Sequence, residues 1–204
     1  MKLVVDDLAA DRGSGLIFEN IGFSLGDGEG LVVTGPNGAG KSTLIRAMAG
    51  LLRPAHGTAR IEDETGEWTD LAAASHYLGP INAMKPALTV RENLAFWQAF
   101  AGKPAMAIDE VQQTVGLEHT ADLPFSYLST GQRRRIAIAK LLLNWRPVWL
   151  LDEPTSGLDA ASERHFAGLV RDHMKAGGIV VAATHLPIAV DGMKRLTFGE
   201  ALPA

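Results

Sequence analysis

Cysteine is absent from the 204 residues, which removes disulfides, thiolate zinc sites, iron–sulfur ligation and CxxCH haem attachment together and fits a reducing compartment. Long apolar runs are also missing. The most apolar stretch, Ile136 to Leu151, is broken by Lys140, Asn144, Arg146 and Pro147, well short of the ~20 residues that a membrane-spanning helix needs. The opening residues offer one Lys, the short apolar run Leu3 to Val5 and then two Asp, so the basic-then-apolar plan of a signal peptide is lacking and export is not expected. Basic charge is in deficit: 19 Lys and Arg face 23 Asp and Glu, a net charge of −4. That balance argues against a surface that tracks nucleic-acid backbones and leaves only a local basic patch open. No repeat recurs at a period of roughly 20 to 50 residues and no low-complexity tract divides the chain, so solenoids and propellers are not expected.

What is present is the composition of one folded unit, 47% hydrophobic and 21% charged, in a length that predicts a single domain at roughly 150 residues each. The beginning is β-rich: Leu3-Val4-Val5, then the alternating Ile21, Phe23 and Leu25, then a turn through Gly26 to Gly30 that leads into the buried-strand run Leu31-Val32-Val33. Leu44, Ile45, Ala47, Met48 and Leu51 follow at helical spacing, ended by Gly50 and Pro54. Val148 to Leu151 and Ile179 to Ala183 have strand character and flank a helical stretch from about Ala160 to Lys175. Alternating strands and helices predict an α/β fold with a parallel sheet. Pro86 to about Leu143 differs, with a helical pattern throughout and breaks at Gly102-Lys103-Pro104 and Leu123-Pro124.

Between the strand ending at Val33 and the helix after it stands Gly35-Pro36-Asn37-Gly38-Ala39-Gly40-Lys41-Ser42-Thr43, a GxxxxGK[ST] loop in the strand-to-helix context that makes it a phosphate site. Its glycines let backbone N–H groups face an anion, Lys41 supplies a point charge for the β- and γ-phosphates, and the Ser42 hydroxyl suits Mg²⁺. A carboxylate must hold the metal's shell, and Asp152 stands at the end of the apolar strand Val148 to Leu151. Glu153 follows it and is placed to orient or deprotonate a water, which makes hydrolysis the expected reaction. Alone, the two acids also read as solvated carboxylates capping a strand; beside the glycine loop the catalytic reading takes precedence.

Those motifs occur in many NTPases. Leu128-Ser129-Thr130-Gly131-Gln132 is more discriminating, and it precedes a run whose apolar positions Ile136, Ile138, Ala139, Leu141 and Leu142 support a helix starting near Ser129. It resembles the LSGGQ signature of ATP-binding cassette (ABC) proteins; by itself it also fits an ordinary capped helix with a solvated basic face. Pro154-Thr155-Ser156-Gly157-Leu158-Asp159 resembles that family's D-loop, and Thr184-His185 its switch histidine. The resemblance runs over nearly the whole chain. It implies a P-loop NTPase of the ABC nucleotide-binding type: a parallel-sheet core, an N-terminal antiparallel β part and an inserted helical subdomain at roughly 84–145, all in one domain over 1–204. It also implies ATP and Mg²⁺ as ligands, with Ser129, Thr130, Gly131 and Gln132 meeting ATP held by another subunit of an ATP-dependent homodimer. Asp159 would contact the opposite subunit and His185 the γ-phosphate.

Three positions depart from the family pattern. No aromatic stands in Ala10 to Gly15 to stack on adenine, leaving the Arg12 guanidinium as the candidate. The expected Q-loop Gln aligns with Ile81, and Asn82 is the nearest amide that could reach the metal. Thr130 replaces a signature Gly.

A single cassette, with 19 residues after His185, suits a transporter subunit without a C-terminal regulatory domain. Leu78-Gly79, Lys85 to Leu94, Ser129 to Arg135 and Gly177 to Pro187 are similar to the CcmA family, the ATP-binding subunits of cytochrome c biogenesis haem exporters. That resemblance implies peripheral attachment to the cytoplasmic face of a bacterial inner membrane through an integral membrane permease of the CcmB type, serving haem export or release of a haem chaperone. Direct haem ligation by this chain is not expected, because its six His show no paired pattern. Phe96, Trp97 and Phe100 read either as core or as the lining of a groove for the permease. Another ABC transporter is the first alternative. A soluble ABC ATPase that remodels a ribosome or nucleic acid is the second, and negative charge counts against it.

Overall fold

The structure is a computed structural model in which residues 1–11, 15–185 and 188–198 are described. Two sheets organise it. β1 (Lys2–Asp11), β2 (Leu16–Gly26) and β4 (His56–Glu62) form an antiparallel sheet in the order β2-β1-β4. β3 (Gly30–Thr34), β5 (Ser75–Leu78), β6 (Val148–Asp152), β7 (Ile179–Ala183) and β8 (Lys194–Thr197) form a parallel sheet in the order β5-β6-β7-β3-β8. Every residue of β6 and β7 is buried, as expected of strands covered on both faces, which is why they read as unbroken apolar runs.

One face of the parallel sheet packs with α1 (Lys41–Met48) and the antiparallel sheet around Leu3, Leu44, Ile45, Leu150 and Val181. The other packs with α4 (Thr130–Leu143) and α5 (Ala160–Lys175) around Ala137, Ile138, Trp149, Phe166 and Val180. A third core, with Val90, Leu94, Val111, Leu117, Phe125, Ile136 and Leu143, joins α4 to α2 (Val90–Ala101) and α3 (Ile108–Thr114). α4 thus has one face in each of two cores, and its apolar residues surround it instead of forming one stripe. Side chains cap three of the helices: Thr89 and Glu92 form a reciprocal capping box on α2, Ser129 and Gln132 another on α4, and Asp159 accepts from the Ser162 N–H at 2.8 Å on α5.

The helical expectation for 86–143 needs correction between α3 and α4, where only two short 3₁₀ turns occur, Glu118–Thr120 and Phe125–Tyr127. The backbone here serves the first turn of α2 instead. Leu123 and Ala121 carbonyls accept from the Val90 and Arg91 N–H groups, and Pro124, which has no N–H to give a helix, sits in a bridge to Thr89.

Candidate active site

The sheet order places the C-terminal ends of β6, β7 and β3 side by side, with Asp152 and Val33 both in register with Ala183. This is the edge at which open α/β sheets bind ligands. Gly35 to Gly40 leave β3 here and turn into α1. Gly40 caps the helix at φ 108°, and a Cβ on it would lie 2.8 Å from Ile17 Cγ2 and 3.1 Å from the Phe18 ring. A Cβ on Gly35, at φ 136°, would meet Phe198 at 2.9 Å. Phe18 and Phe198 stack edge to face at 5.5 Å beneath the loop, so glycine is required both for the backbone angles and for the close approach. Lys41 Nζ donates to the Gly35 and Pro36 carbonyls at 2.8 and 2.9 Å, within the loop's own curve. The loop borders a cavity of about 400 Å³ that is also lined by Ile17, Ser42, Thr43 and Glu153.

Ser42 Oγ donates to Asp152 Oδ1 at 2.8 Å, across 110 positions of sequence. Burial raises the Asp152 pKa and is only partly opposed by the Ser42 hydrogen bond, while the Glu153 charge adds to the rise. This adjacent hydroxyl and carboxylate are the hard oxygen donors that Mg²⁺ accepts alongside phosphate oxygens. Glu153 has φ 47°, in the left-handed region that non-glycine residues rarely occupy. Its N–H donates to the Ala183 carbonyl at 2.8 Å, and its Oε2 lies 2.8 Å from His185 Nδ1.

Ser129 to Gln132 open α4 and line no part of the P-loop cavity. They pack instead on the segment that begins with Pro154: a Cβ on Gly131 would approach the Gly157 carbonyl to 3.3 Å, and the Thr130 methyl would be as close to a Cβ on Gly157. Asp159 ends that segment as the cap of α5. Asn82 Oδ1 is 3.4 Å from Arg134 Nη1, and Ile81 is exposed. Arg12 lies outside the described residues.

Sequence reasoning missed two residues here. Ile17 gives the cavity an aliphatic wall near the position where an aromatic was sought. Arg134, within a triple-arginine run whose alternative reading was a solvated basic face, is buried at 4% exposure. The signal was its spacing, because Arg134, Ala137, Ile138 and Leu141 form one helical stripe and the last three are core residues.

Residues 18–156 match the family model described as ABC transporter. The chain belongs to the ABC transporter family. The cytochrome c biogenesis ATP-binding export protein CcmA of Chelativorans sp. (strain BNC1) is 53% identical over 199 residues, 98% of each chain. The dimeric structure of MJ0796, a bacterial ABC transporter cassette, superposes with a TM-score of 0.81 at 25% identity, over 98% of this chain and 97% of that one. A dimeric post-hydrolysis state of the MJ0796 cassette, bound to ADP and Pi, has a TM-score of 0.76 at 26% identity, over 90% and 88% of the two chains. Within the ABC family this chain falls among the CcmA-like cassettes, and it is an ATP-hydrolysing transporter subunit. Among the described residues no helix is long and apolar enough to cross a membrane.

Proposed function

We propose that this chain drives a cytochrome c biogenesis transporter, coupling ATP hydrolysis to haem export or to release of a haem chaperone through a CcmB-type integral permease at the cytoplasmic face of a bacterial inner membrane. One observation carries the chemical part: the Glu153 carboxylate borders the P-loop cavity and is held against His185. The N–H groups of Gly38 to Thr43 and Lys41 Nζ bind the triphosphate, with Ile17 covering its apolar end. Ser42 and Asp152 would hold Mg²⁺, which would supply positive charge to offset that of the phosphates. Glu153 accepts a proton from the water that attacks the γ-phosphorus. His185 orients that carboxylate and faces the phosphate, and the leaving ADP oxygen takes the bonding electron pair.

Because Ser129 to Gln132 line no part of this chain's P-loop cavity, their capped helix N-terminus serves the ATP of a second copy, in a head-to-tail homodimer with Asp159 near the seam. For the permease, a cavity of about 390 Å³ opens between Tyr77, Arg146, Trp97 and Phe100. Phe96 and Phe100 stack on each other and are 49% and 75% exposed, which favours the groove reading over the core reading. Differential affinity of ATP for the closed dimer moves the groove.

The test is affinity purification of the Glu153→Gln protein from detergent-solubilised native membranes with ATP, followed by mass spectrometry. A small polytopic cytochrome c maturation protein is the expected companion, and the bait with ATP is expected at doubled mass on size exclusion. A different permease would discard the cytochrome c role, soluble partners alone would favour a remodelling ATPase, and a monomer at saturating ATP would sink the dimer.

A further inference from the structure

Arg134 stands in the second turn of α4, and all five of its guanidinium N–H groups have acceptors. Nε donates to the Pro154 carbonyl at 2.8 Å, and Nη2 to the carbonyls of Glu153 at 2.7 Å and Asp152 at 3.3 Å. Nη1 donates to the Gly79 carbonyl at 2.7 Å and to Asn82 Oδ1 at 3.4 Å. These acceptors belong to two separate segments, the last residue of β6 with the two that follow it, and the turn that leaves β5 for α2. A planar fork can span both at once; a lysine ammonium, with three donors on one nitrogen, cannot.

We propose that Arg134 is a positioning residue for Glu153, fixing the backbone that aims its carboxylate and making that aim depend on the seating of α4. The inference rests on the reading of Glu153 as the residue that activates water. Glu153 occupies a left-handed conformation and is held from both sides, its N–H by Ala183 on β7 and its carbonyl by Arg134. A conformation this uncommon for glutamate persists only where its surroundings over-determine it. Removing the Arg134 bond frees the peptide plane after Glu153 to rotate toward ordinary backbone angles, carrying the carboxylate away from His185.

The second half of the inference follows from what α4 carries. Its N-terminus is Ser129 to Gln132, and its far face belongs to the core shared with α2 and α3. A movement of those helices against the parallel sheet stretches the bonds from Arg134 to Asp152, Glu153 and Pro154. Seating of the signature helix and orientation of Glu153 are therefore one event. The junction where a Q-loop Gln was expected holds Ile81, 82% exposed, and Arg134 links the same turn to the acid through Gly79 and Asn82.

The experiment compares wild type, Arg134→Lys, Arg134→Gln, Glu153→Gln and the Arg134→Lys/Glu153→Gln pair in the membrane-partner complex. It reads nucleotide affinity, KM and single-turnover hydrolysis of labelled ATP. Arg134→Lys and Arg134→Gln are expected to lower kcat by about 10- to 100-fold, with KM and ATP affinity within about 3-fold, Gln more severely than Lys. In the Glu153→Gln background the Arg134 change is expected to cost nothing further, since it acts through that carboxylate. Unchanged kcat in both single variants would overturn the proposal, as would an equal fall in the Glu153→Gln background. Loss of ATP binding in both would overturn it too, leaving Arg134 a structural cation. Full hydrolysis by Glu153→Gln alone would instead remove the reading of Glu153 on which the proposal rests.

Discussion

His185 Nδ1 lies 2.8 Å from Glu153 Oε2, a contact between residues that leave neighbouring parallel strands, β7 and β6. It exists because the two strands run in register, Asp152 opposite Ala183, so that the residues following each strand meet at one edge. A histidine in this place can hold the carboxylate toward the P-loop cavity and share its proton traffic.

His185→Ala is therefore expected to lower kcat about 10- to 100-fold while leaving ATP affinity within about 3-fold, and Glu153→Gln to lower it by about 100-fold or more. Phosphate-release kinetics in the assembled complex, alongside nucleotide titrations, measure both. An equal loss of affinity and turnover in His185→Ala would place the histidine in nucleotide binding instead.

Lys41→Ala is expected to weaken ATP binding by about 100-fold or more, because it removes the one cationic side chain lining the cavity among the described residues. The fold should survive, since among the described residues Lys41 Nζ bonds only to carbonyls of its own loop. Titration with a fluorescent ATP analogue, paired with a thermal melt, separates the two effects.

Stability is expected to fall as the pH drops from about 6.5 toward 4. Burial pushes His76 down to about 4 against the opposing bond to the Asn144 carbonyl, with Lys140 and Arg146 adding to the fall. Burial likewise pushes His173 down to about 4 against its bond to the Pro147 carbonyl, with His76 adding. Both rings stay neutral in the folded chain where the unfolded chain already takes up protons, so folding loses stability on acidification through this window. The full effect is on the order of 3 kcal/mol for each histidine. His173 stacks on Trp149 at 4.0 Å, so His173→Phe should keep the packing and flatten the dependence. Denaturant melts between pH 4.5 and 7 test this; an unchanged slope in the variant would remove His173 from the account.

Phe100→Glu is expected to abolish recovery of the membrane partner while ATP binding stays within about 2-fold, because Phe100 is 75% exposed in the aromatic groove and a carboxylate there opposes apolar docking. Co-purification yield set against nucleotide affinity checks it. Retained partner binding would move the docking site elsewhere.

Much of this molecule was legible one segment at a time. The turn of Gly35 to Gly40, the reciprocal caps at Ser129 and Gln132, and the unbroken apolar runs of β6 and β7 each arise from backbone sterics or burial acting over a few neighbouring residues. Strands with little apolar pattern were not legible: β5, β8 and the mostly exposed β4 went unforeseen, and the helical expectation overran the segment after α3, where backbone groups serve α2 instead of a helix of their own. The Arg133 to Arg135 run hid its member of the buried stripe, because charge suggested solvent while spacing placed Arg134 with the core.

By itself, then, the sequence determined the local chemistry: a loop able to bind phosphate, two consecutive acids after a buried strand, a capped helix with a signature start, and a histidine after another strand. Only the tertiary structure decided which of these meet. The strand order β5-β6-β7-β3-β8 brings Ser42 to Asp152 and His185 to Glu153, and α4, packed between two cores, carries Arg134 to the backbone of Glu153. Adjacency of this kind depends on which strands pair and on how side chains fill the space between layers. Those are sums of many weak contacts between distant residues, and no short stretch of chain contains them.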